Sequence, residues 1–137
     1  MSTSGQKPGE ATFVGYKVKA NAALLQGVGV KFSADHEVDV CGANDKAIGI
    51  PMTSVTGNAS GTSRVEVMLL DGGTIRAKVS SGGATRGEYA ICGSGGFENQ
   101  TIGGGTTVKY IVGQFLESGV SGDFVELRLG GFAAGCA

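Results

Sequence analysis

Glycine spacing is the feature that most restricts how this chain can fold. Glycine accounts for 26 of the 137 residues, about 19% against a usual share of roughly 7%. The longest segments without glycine are residues 16–26 and 30–41, and a glycine inside a helix costs about 1 kcal/mol relative to alanine. A helix of more than three turns therefore has almost nowhere to form. This spacing excludes an all-α fold and nearly excludes a doubly wound α/β fold.

The apolar residues indicate what the chain forms instead. Leu, Ile, Val and Phe make up about 24% of the sequence, above the roughly 20% below which chains tend to stay disordered. β-Branched residues are frequent, and they favour strands. Apolar residues also alternate with polar ones over several short segments, which is the period of a half-buried strand. The clearest alternating segments are residues 14–20, 65–69, 75–79, 108–112 and 125–129.

Turn signals between these segments predict how they connect. Asp71-Gly72-Gly73 separates two alternating segments, and Asp-Gly in that position is a strong hairpin signal. We therefore expect residues 65–69 and 75–79 to pair as a hairpin. The glycine-rich segment 93–105 predicts a loop that contains Phe97.

The two halves of the chain resemble each other in the order of their motifs. This order predicts an internal duplication of about residues 24–79 and 84–130 within one β domain, residues 12–137. Each unit is too small to bury much core alone, so we expect the two to close one shared β-barrel or β-sandwich. Residues 1–11 are small and polar, and they predict a flexible N-terminal arm. The matching motifs are Gln26-Gly27 with Arg86-Gly87, Ile48-Gly49-Ile50 with Val112-Gly113-Gln114, and Val65-Glu66-Val67 with Val125-Glu126-Leu127.

The sequence offers little for catalysis or for cofactor binding. The single histidine, His36, lies among Asp35, Glu37 and Asp39, which could in principle hold a hard cation. The glycine and glutamate of a calcium loop are missing, so we interpret the segment as a solvated acidic turn. No Gly-Lys pair for a phosphate loop and no Gly-x-Ser-x-Gly motif occurs. We expect a protein that is not an enzyme and that needs no cofactor or metal.

Charge and the remaining residue types exclude further classes of function. The formal net charge is −1, whereas nucleic-acid binding normally requires a basic excess. No run of 18 apolar residues is present and the N-terminus lacks the apolar core of a signal peptide, so no membrane segment is expected. Cys41, Cys92 and Cys136 are too far apart in sequence for a zinc motif, and we expect reduced thiols. The nine aromatic residues are interpreted mainly as core.

Three short segments, and three more that follow in the same order later in the chain, resemble one protein family. They are a glycine-led strand at 26–32, a Lys-Ala-Ile-Gly-Ile run within 45–50, and a Val-Glu-Val-x-Leu strand at 65–69, followed by 86–90, 111–113 and 125–127. In this respect residues 13–129 resemble the small head-decoration proteins of tailed bacteriophages.

The resemblance implies a capsid cement protein. Such a protein is a compact β domain, usually a homotrimer, that binds the major capsid protein on the outer surface of the head. It would be made in the host cytoplasm and would end in the virion. We expect its capsid or subunit contacts at Lys7 and Pro8 of the arm and at Phe13 and Tyr16 of the first strand. The alternative is a non-catalytic β-barrel binding module, either a carbohydrate-binding or a carrier-like domain.

Deletion of residues 1–11 tests the predicted arm. An extended segment of this length spans roughly 36 Å, enough to reach a neighbouring subunit, where Lys7 can meet an acidic patch. We expect the truncated protein to fold and to form trimers normally, but to attach more weakly to phage heads. Co-sedimentation of both forms with undecorated capsids across a salt series measures this, and equal binding would show that the arm takes no part.

Overall fold

The computed structural model describes residues 11–136, and their secondary structure is all β, as predicted. Lys7, Pro8 and all of the expected arm except Ala11 lie outside the described residues. No helix in residues 11–136 is long and apolar enough to span a membrane. The strands are β1 (Phe13–Val18), β2 (Ala23–Leu24), β3 (Val30–Ala34), β4 (Glu37–Val40), β5 (Gly49–Pro51), β6 (Val55–Thr56), β7 (Arg64–Leu69), β8 (Thr74–Lys78), β9 (Tyr89–Gly93), β10 (Gly96–Gln100), β11 (Thr107–Phe115) and β12 (Phe124–Cys136).

Five strands of the first half form a closed barrel in the order β1-β4-β3-β5-β7. Strand β1 runs antiparallel to β7 and parallel to β4, which closes the ring. The short β2–β6 ladder lies beside it and adds Leu24 to the barrel core. The barrel therefore closes within residues 13–69, whereas the closure that we expected would have used strands of both halves. Its buried core residues are Val18, Leu24, Val30, Val38, Val65 and Val67.

The second half forms a five-stranded sheet in the order β10-β9-β11-β12-β8. Each of its strands corresponds to one barrel strand: β8 to β1, β9 to β3, β10 to β4, β11 to β5 and β12 to β7. Corresponding strands have corresponding neighbours and the same relative directions, and the parallel β1–β4 contact also has an equivalent. That equivalent is a single parallel bridge between Val79, just after β8, and Phe97 of β10, supported by a 2.8 Å hydrogen bond from the Ser80 amide to the Phe97 carbonyl. The sheet is therefore almost a second barrel. The duplication in sequence stays a prediction.

A larger core joins the barrel to the second sheet. On the barrel side it contains Cys41, Ala47, Ile50 and Met68, and on the sheet side it contains eleven buried residues. Strand β7 contributes to both cores, because Val67 faces the barrel interior while Met68, the next residue, faces the sheet. The sheet-side residues are Ala77, Val79, Ala84, Ala90, Cys92, Phe97, Val112, Phe115, Val125, Leu127 and Leu129.

The predicted hairpin at residues 71–73 is wrong, although both of its strands exist. Strand β7 pairs with β1 and β5, so neither of its edges is free, and β8 pairs with β12 instead. The turn leads the chain from the barrel into the second sheet. It is held there by hydrogen bonds from the Leu129 amide to the Gly73 carbonyl, 2.7 Å, and from the Gly131 amide to the Leu70 carbonyl, 3.2 Å.

The predicted loop at residues 93–105 is also partly wrong. Residues 96–100 form strand β10, and Phe97 is completely buried in the shared core. Glycine is required at Gly96 because a Cβ there would lie 2.6 Å from the Lys78 carbonyl oxygen. The glycines of this segment thus reflect close packing of backbones as well as turns.

Substitution of Val67 by Asp tests the barrel core. Val67 has no exposed surface, so the variant buries a carboxylate without a partner and should lose more than about 4 kcal/mol of unfolding free energy. The matched control is Val108→Asp, since Val108 is a strand valine that is 58% exposed and should change stability by less than about 1 kcal/mol. Thermal melts followed by circular dichroism make the comparison, and equal melting temperatures for the two variants would contradict the assignment.

Candidate interaction surface

The acidic segment near His36 does not assemble into a site. His36 has a φ of 56° in the turn between β3 and β4. The Glu37 carboxylate accepts a 2.8 Å hydrogen bond from the Ser33 hydroxyl, and the Asp39 carboxylate lies 3.6 Å from Lys19 Nζ. Among the described residues, no three His, Cys, Asp or Glu side chains come together as metal ligands would.

Exposed aromatic side chains are the most distinctive feature of the surface. Phe97 and Phe115 are completely buried, but the interpretation of the aromatic residues as mainly core is wrong for most of them. Isolated exposed apolar residues are ordinary, whereas contiguous ones mark interaction sites. Six aromatic side chains are more than a third exposed: Phe13, Phe32, Tyr89, Tyr110, Phe124 and Phe132.

Four of these, with Tyr16 and Ile48, form one continuous band that we call the aromatic strip. The strip begins on the barrel and continues onto the second sheet. Each member either lines the same surface hollow as the next member or packs directly against its ring. In order along the surface its members are Tyr16, Phe32, Ile48, Tyr110, Phe132 and Tyr89.

The barrel end of the strip is a pair of aromatic rings. Tyr16 and Phe32 pack edge to face with 5.4 Å between ring centroids, the geometry that aromatic quadrupoles prefer. They border an open hollow of about 550 Å³ whose other wall is the β3–β4 turn. Phe32 also borders a second hollow with Lys31, Lys46 and Ile48, which continues the strip toward the second sheet.

The sheet end of the strip repeats this arrangement. Phe132 and Tyr89 pack edge to face with 5.7 Å between centroids. A hollow of about 450 Å³ between barrel and sheet has Ile48 and Lys46 on one side and Tyr110 and Phe132 on the other. The Lys46 ammonium lies 5.5 Å from the centroid of the Tyr110 ring, within the range of a cation–π interaction.

Local irregularities of the strands explain why these rings are exposed. Strand β3 pairs with β5 only at Val30, so Phe32, two residues further on, extends beyond the barrel. Strand β11 has a bulge between Ile111 and Gly113, where a change of register turns side chains to the other face. Tyr110 precedes the bulge and is exposed, while Val112 is buried. Alternation alone would have placed both on one face.

An ion pair stands beside the strip. Lys31 Nζ lies 2.8 Å from Asp45 Oδ2, and the Gly42 amide donates to the same oxygen at 2.7 Å. Two hydrogen bonds lower the pKa of Asp45 below its ordinary value of 3.8. The bond from Lys31 has the larger effect and the bond from Gly42 the smaller. The hydrogen bond to Asp45 raises the pKa of Lys31 above 10.5. This pair fixes the segment that carries Lys46 against the barrel.

The structure describes two of the four contact residues that the sequence predicts, Phe13 and Tyr16. Lys7 and Pro8 lie outside the described residues. Phe13 is exposed on the outer face of β1, while Tyr16 is half-buried on the opposite face of that strand and packs against the barrel core. Of these two described residues, Tyr16 belongs to the strip and Phe13 does not. The other members went unrecognised because their exposure depends on a bulge and on strand ends, which alternation does not reveal.

Comparison with known proteins gives a match in fold. No protein-family model matches the chain, and no curated protein matches it. Among solved structures, the chain is similar to the one described as "head fiber gp8.5 N base in bacteriophage phi29". The similarity has a TM-score of 0.62 at 13% sequence identity and covers 86% of this chain and 94% of that one. The combination of barrel and second sheet is therefore a fold that this solved structure shares.

Substitution of Asp45 by Asn tests the ion pair. At pH 7 the variant should lose about 1 kcal/mol of unfolding free energy, a modest figure because both side chains are roughly a third exposed and water screens the pair. The pKa of Asp45 is lower in the folded than in the unfolded state, so its contribution is present above about pH 4 and disappears as the pH falls through the folded-state pKa. At high pH the contribution declines again once Lys31 titrates, above its ordinary value of 10.5.

Urea unfolding of both proteins at pH 7 and pH 2.5 measures this difference. The exposed Asp35 makes no ion pair within residues 11–136, so Asp35→Asn serves as the control. A stability difference for Asp45→Asn that is the same at both pH values would contradict the role of the ion pair.

Proposed function

We propose that this chain is a structural protein of a tailed-phage virion that binds the outer surface of the head and stabilises the capsid lattice. In this role it acts as a non-catalytic cement, its partner is the major capsid protein, and its active form is a homotrimer. The observation that carries the proposal is the likeness of almost the whole chain to the base of a phage head fibre. The decoration-protein motifs of the sequence support the same conclusion independently.

The aromatic strip supplies the contact surface that such a role needs. A cement protein works by adding contact area between capsomers, and a standard interface buries roughly 1,600 Å² in total. Exposed aromatic residues are enriched at the energetic centres of interfaces because they bury much apolar area with few rotatable bonds. The strip presents four such rings on a rigid β framework, so little conformational entropy is lost on binding.

Repetition would strengthen a modest contact. When three linked copies bind neighbouring sites, the second and third bind at a high effective concentration. A trimer placed on a lattice of repeated sites can therefore hold it firmly even if each strip binds weakly. This reasoning favours a closed oligomer over a single subunit.

A carbohydrate-binding module is the second candidate, and the exposed rings are the observation that favours it. Sugar-binding sites present aromatic faces to the pyranose ring. In the strip, however, the two pairs pack edge to face, with interplanar angles of 80° and 89°, so neither pair forms a coplanar platform. This geometry suits a protein surface better than a glycan chain.

Light scattering and co-sedimentation test the proposal. The purified protein should have three times the 13.7 kDa mass of the chain, and it should sediment with phage heads that were assembled without it. Heads carrying the protein should resist heat or chelator better than bare heads. A monomer that binds glycans and does not sediment with phage heads would support the second candidate instead.

A pair of substitutions locates the contact. Phe32 on the strip and Phe13 on the outer face of β1 are exposed to similar extents, 53% and 46%, so each can be changed to Ser with little effect on folding. Phe32→Ser should weaken attachment to heads at least about tenfold, the effect of removing one interface anchor of about 1.4 kcal/mol or more. Phe13→Ser should bind as the unchanged protein does. The reverse result would assign the contact to the outer face of β1.

A further inference from the structure

The larger core contains two cysteines that adjoin the same glycine, Gly29, where the barrel meets the second sheet. Cys41 follows strand β4 on the barrel side, and Cys92 belongs to β9 of the second sheet. Both thiols are free, and both residues are buried, with exposures of 4% and 1%. Neither contributes to the aromatic strip, and a free cysteine combines the packing of a small apolar residue with a thiol that can be oxidised.

Backbone contacts hold the two cysteines against the same point, Gly29. The Cys41 amide donates to the Gly29 carbonyl at 2.9 Å. A Cβ at Gly29 would lie 3.2 Å from Cys92 Sγ, so the missing side chain leaves room for that sulfur. The Asn44 amide donates to the Cys92 carbonyl at 2.9 Å, which fixes the segment after Cys41 to β9. Main-chain contacts on both sides thus hold the two cysteines in the same neighbourhood.

We propose that Cys41 and Cys92 are an oxidation site, and that they close into a disulfide that joins the barrel to the second sheet when the protein meets a low-molecular-weight disulfide such as oxidised glutathione. The Cys41 thiolate attacks one glutathione sulfur and releases the first glutathione as a thiolate. Cys92 then attacks the Cys41 sulfur, and the second glutathione leaves. Two protein thiols are oxidised, one glutathione disulfide is reduced to two thiols, and the two protons end on them.

The reduced pair is protected while it stays folded. Hydrogen bonding with Cys92, together with burial, raises the pKa of Cys41 well above its ordinary value, and only the thiolate attacks a disulfide. The exchange is therefore slow in the native state and proceeds through local opening or during folding. In a reducing medium the thiols persist, and the bond forms when the protein meets an oxidising medium. This proposal does not depend on the proposed function.

Thiol counting on the full-length protein tests the oxidation site. The reduced protein is equilibrated at pH 8.5 with mixtures of reduced and oxidised glutathione, then denatured and alkylated for mass measurement. We expect the number of reactive thiols to fall from three to one, and peptide mapping should show the Cys41 and Cys92 peptides joined. The melting temperature should rise by at least about 5 °C, because the bond closes a long loop in the unfolded chain, and dithiothreitol should reverse the change.

Two controls make the result specific. Cys136→Ser should oxidise in the same way and retain no reactive thiol. In 6 M guanidinium the unfolded chain should give mixed pairings, since Cys92 is closer in sequence to Cys136 than to Cys41 and loop closure alone favours the shorter loop. Three thiols that persist at equilibrium, a linkage to Cys136 in the folded protein, or a glutathione adduct on Cys41 without linkage to Cys92 would each overturn the proposal.

Discussion

Strand β7 is hydrogen-bonded along both edges, to β1 through residues 64–68 and to β5 through residues 67–69. These two ladders close the barrel and leave no free edge on β7 for the strand that comes next in the chain. That strand, β8, must therefore start a new sheet, and its partner β12 comes from the far end of the chain. The side chain of Met68 points away from the barrel interior, and the second sheet covers it. The shared core thus follows from the closure of the barrel.

Local patterns in the sequence predict the features of this fold that depend on residues close together in the chain. Alternation correctly places Val125, Leu127 and Leu129 in the core, and glycine spacing correctly excludes long helices. The Asp71-Gly72-Gly73 segment does connect two strands, but the choice of partner depends on whether an edge of β7 is free, which no local signal reports. Phe97 was missed for a related reason. Its flanking glycines signal turns in sequence, whereas Gly96 in fact allows a close approach of β10 to the backbone near Lys78.

The candidate surface was harder to predict because it arises from departures from regularity. Of the two residues proposed from sequence that the structure describes, Tyr16 belongs to the aromatic strip and Phe13 does not. Phe32 is exposed because β3 extends beyond its pairing with β5, and Tyr110 is exposed because β11 has a bulge. Such irregularities often reposition side chains for function. The strip exists only because the second sheet stands beside the barrel, so the binding surface that we propose is a product of the junction rather than of either half.

The second sheet is closed in part by side chains, at the place where the barrel is closed by main chain. Strands β8 and β10 meet at the parallel bridge between Val79 and Phe97, whereas the corresponding β1–β4 contact is a ladder of the ring. Beyond the bridge, the Ser80 hydroxyl donates to the Glu98 carboxylate at 2.7 Å, and the main-chain amide of Asn99 donates to the Gly83 carbonyl at 3.0 Å. Ser80 is buried, so a residue without its hydroxyl would leave Glu98 without this hydrogen bond. The closure of the second sheet therefore depends on particular side chains, whereas a main-chain ladder uses groups that nearly every residue type carries.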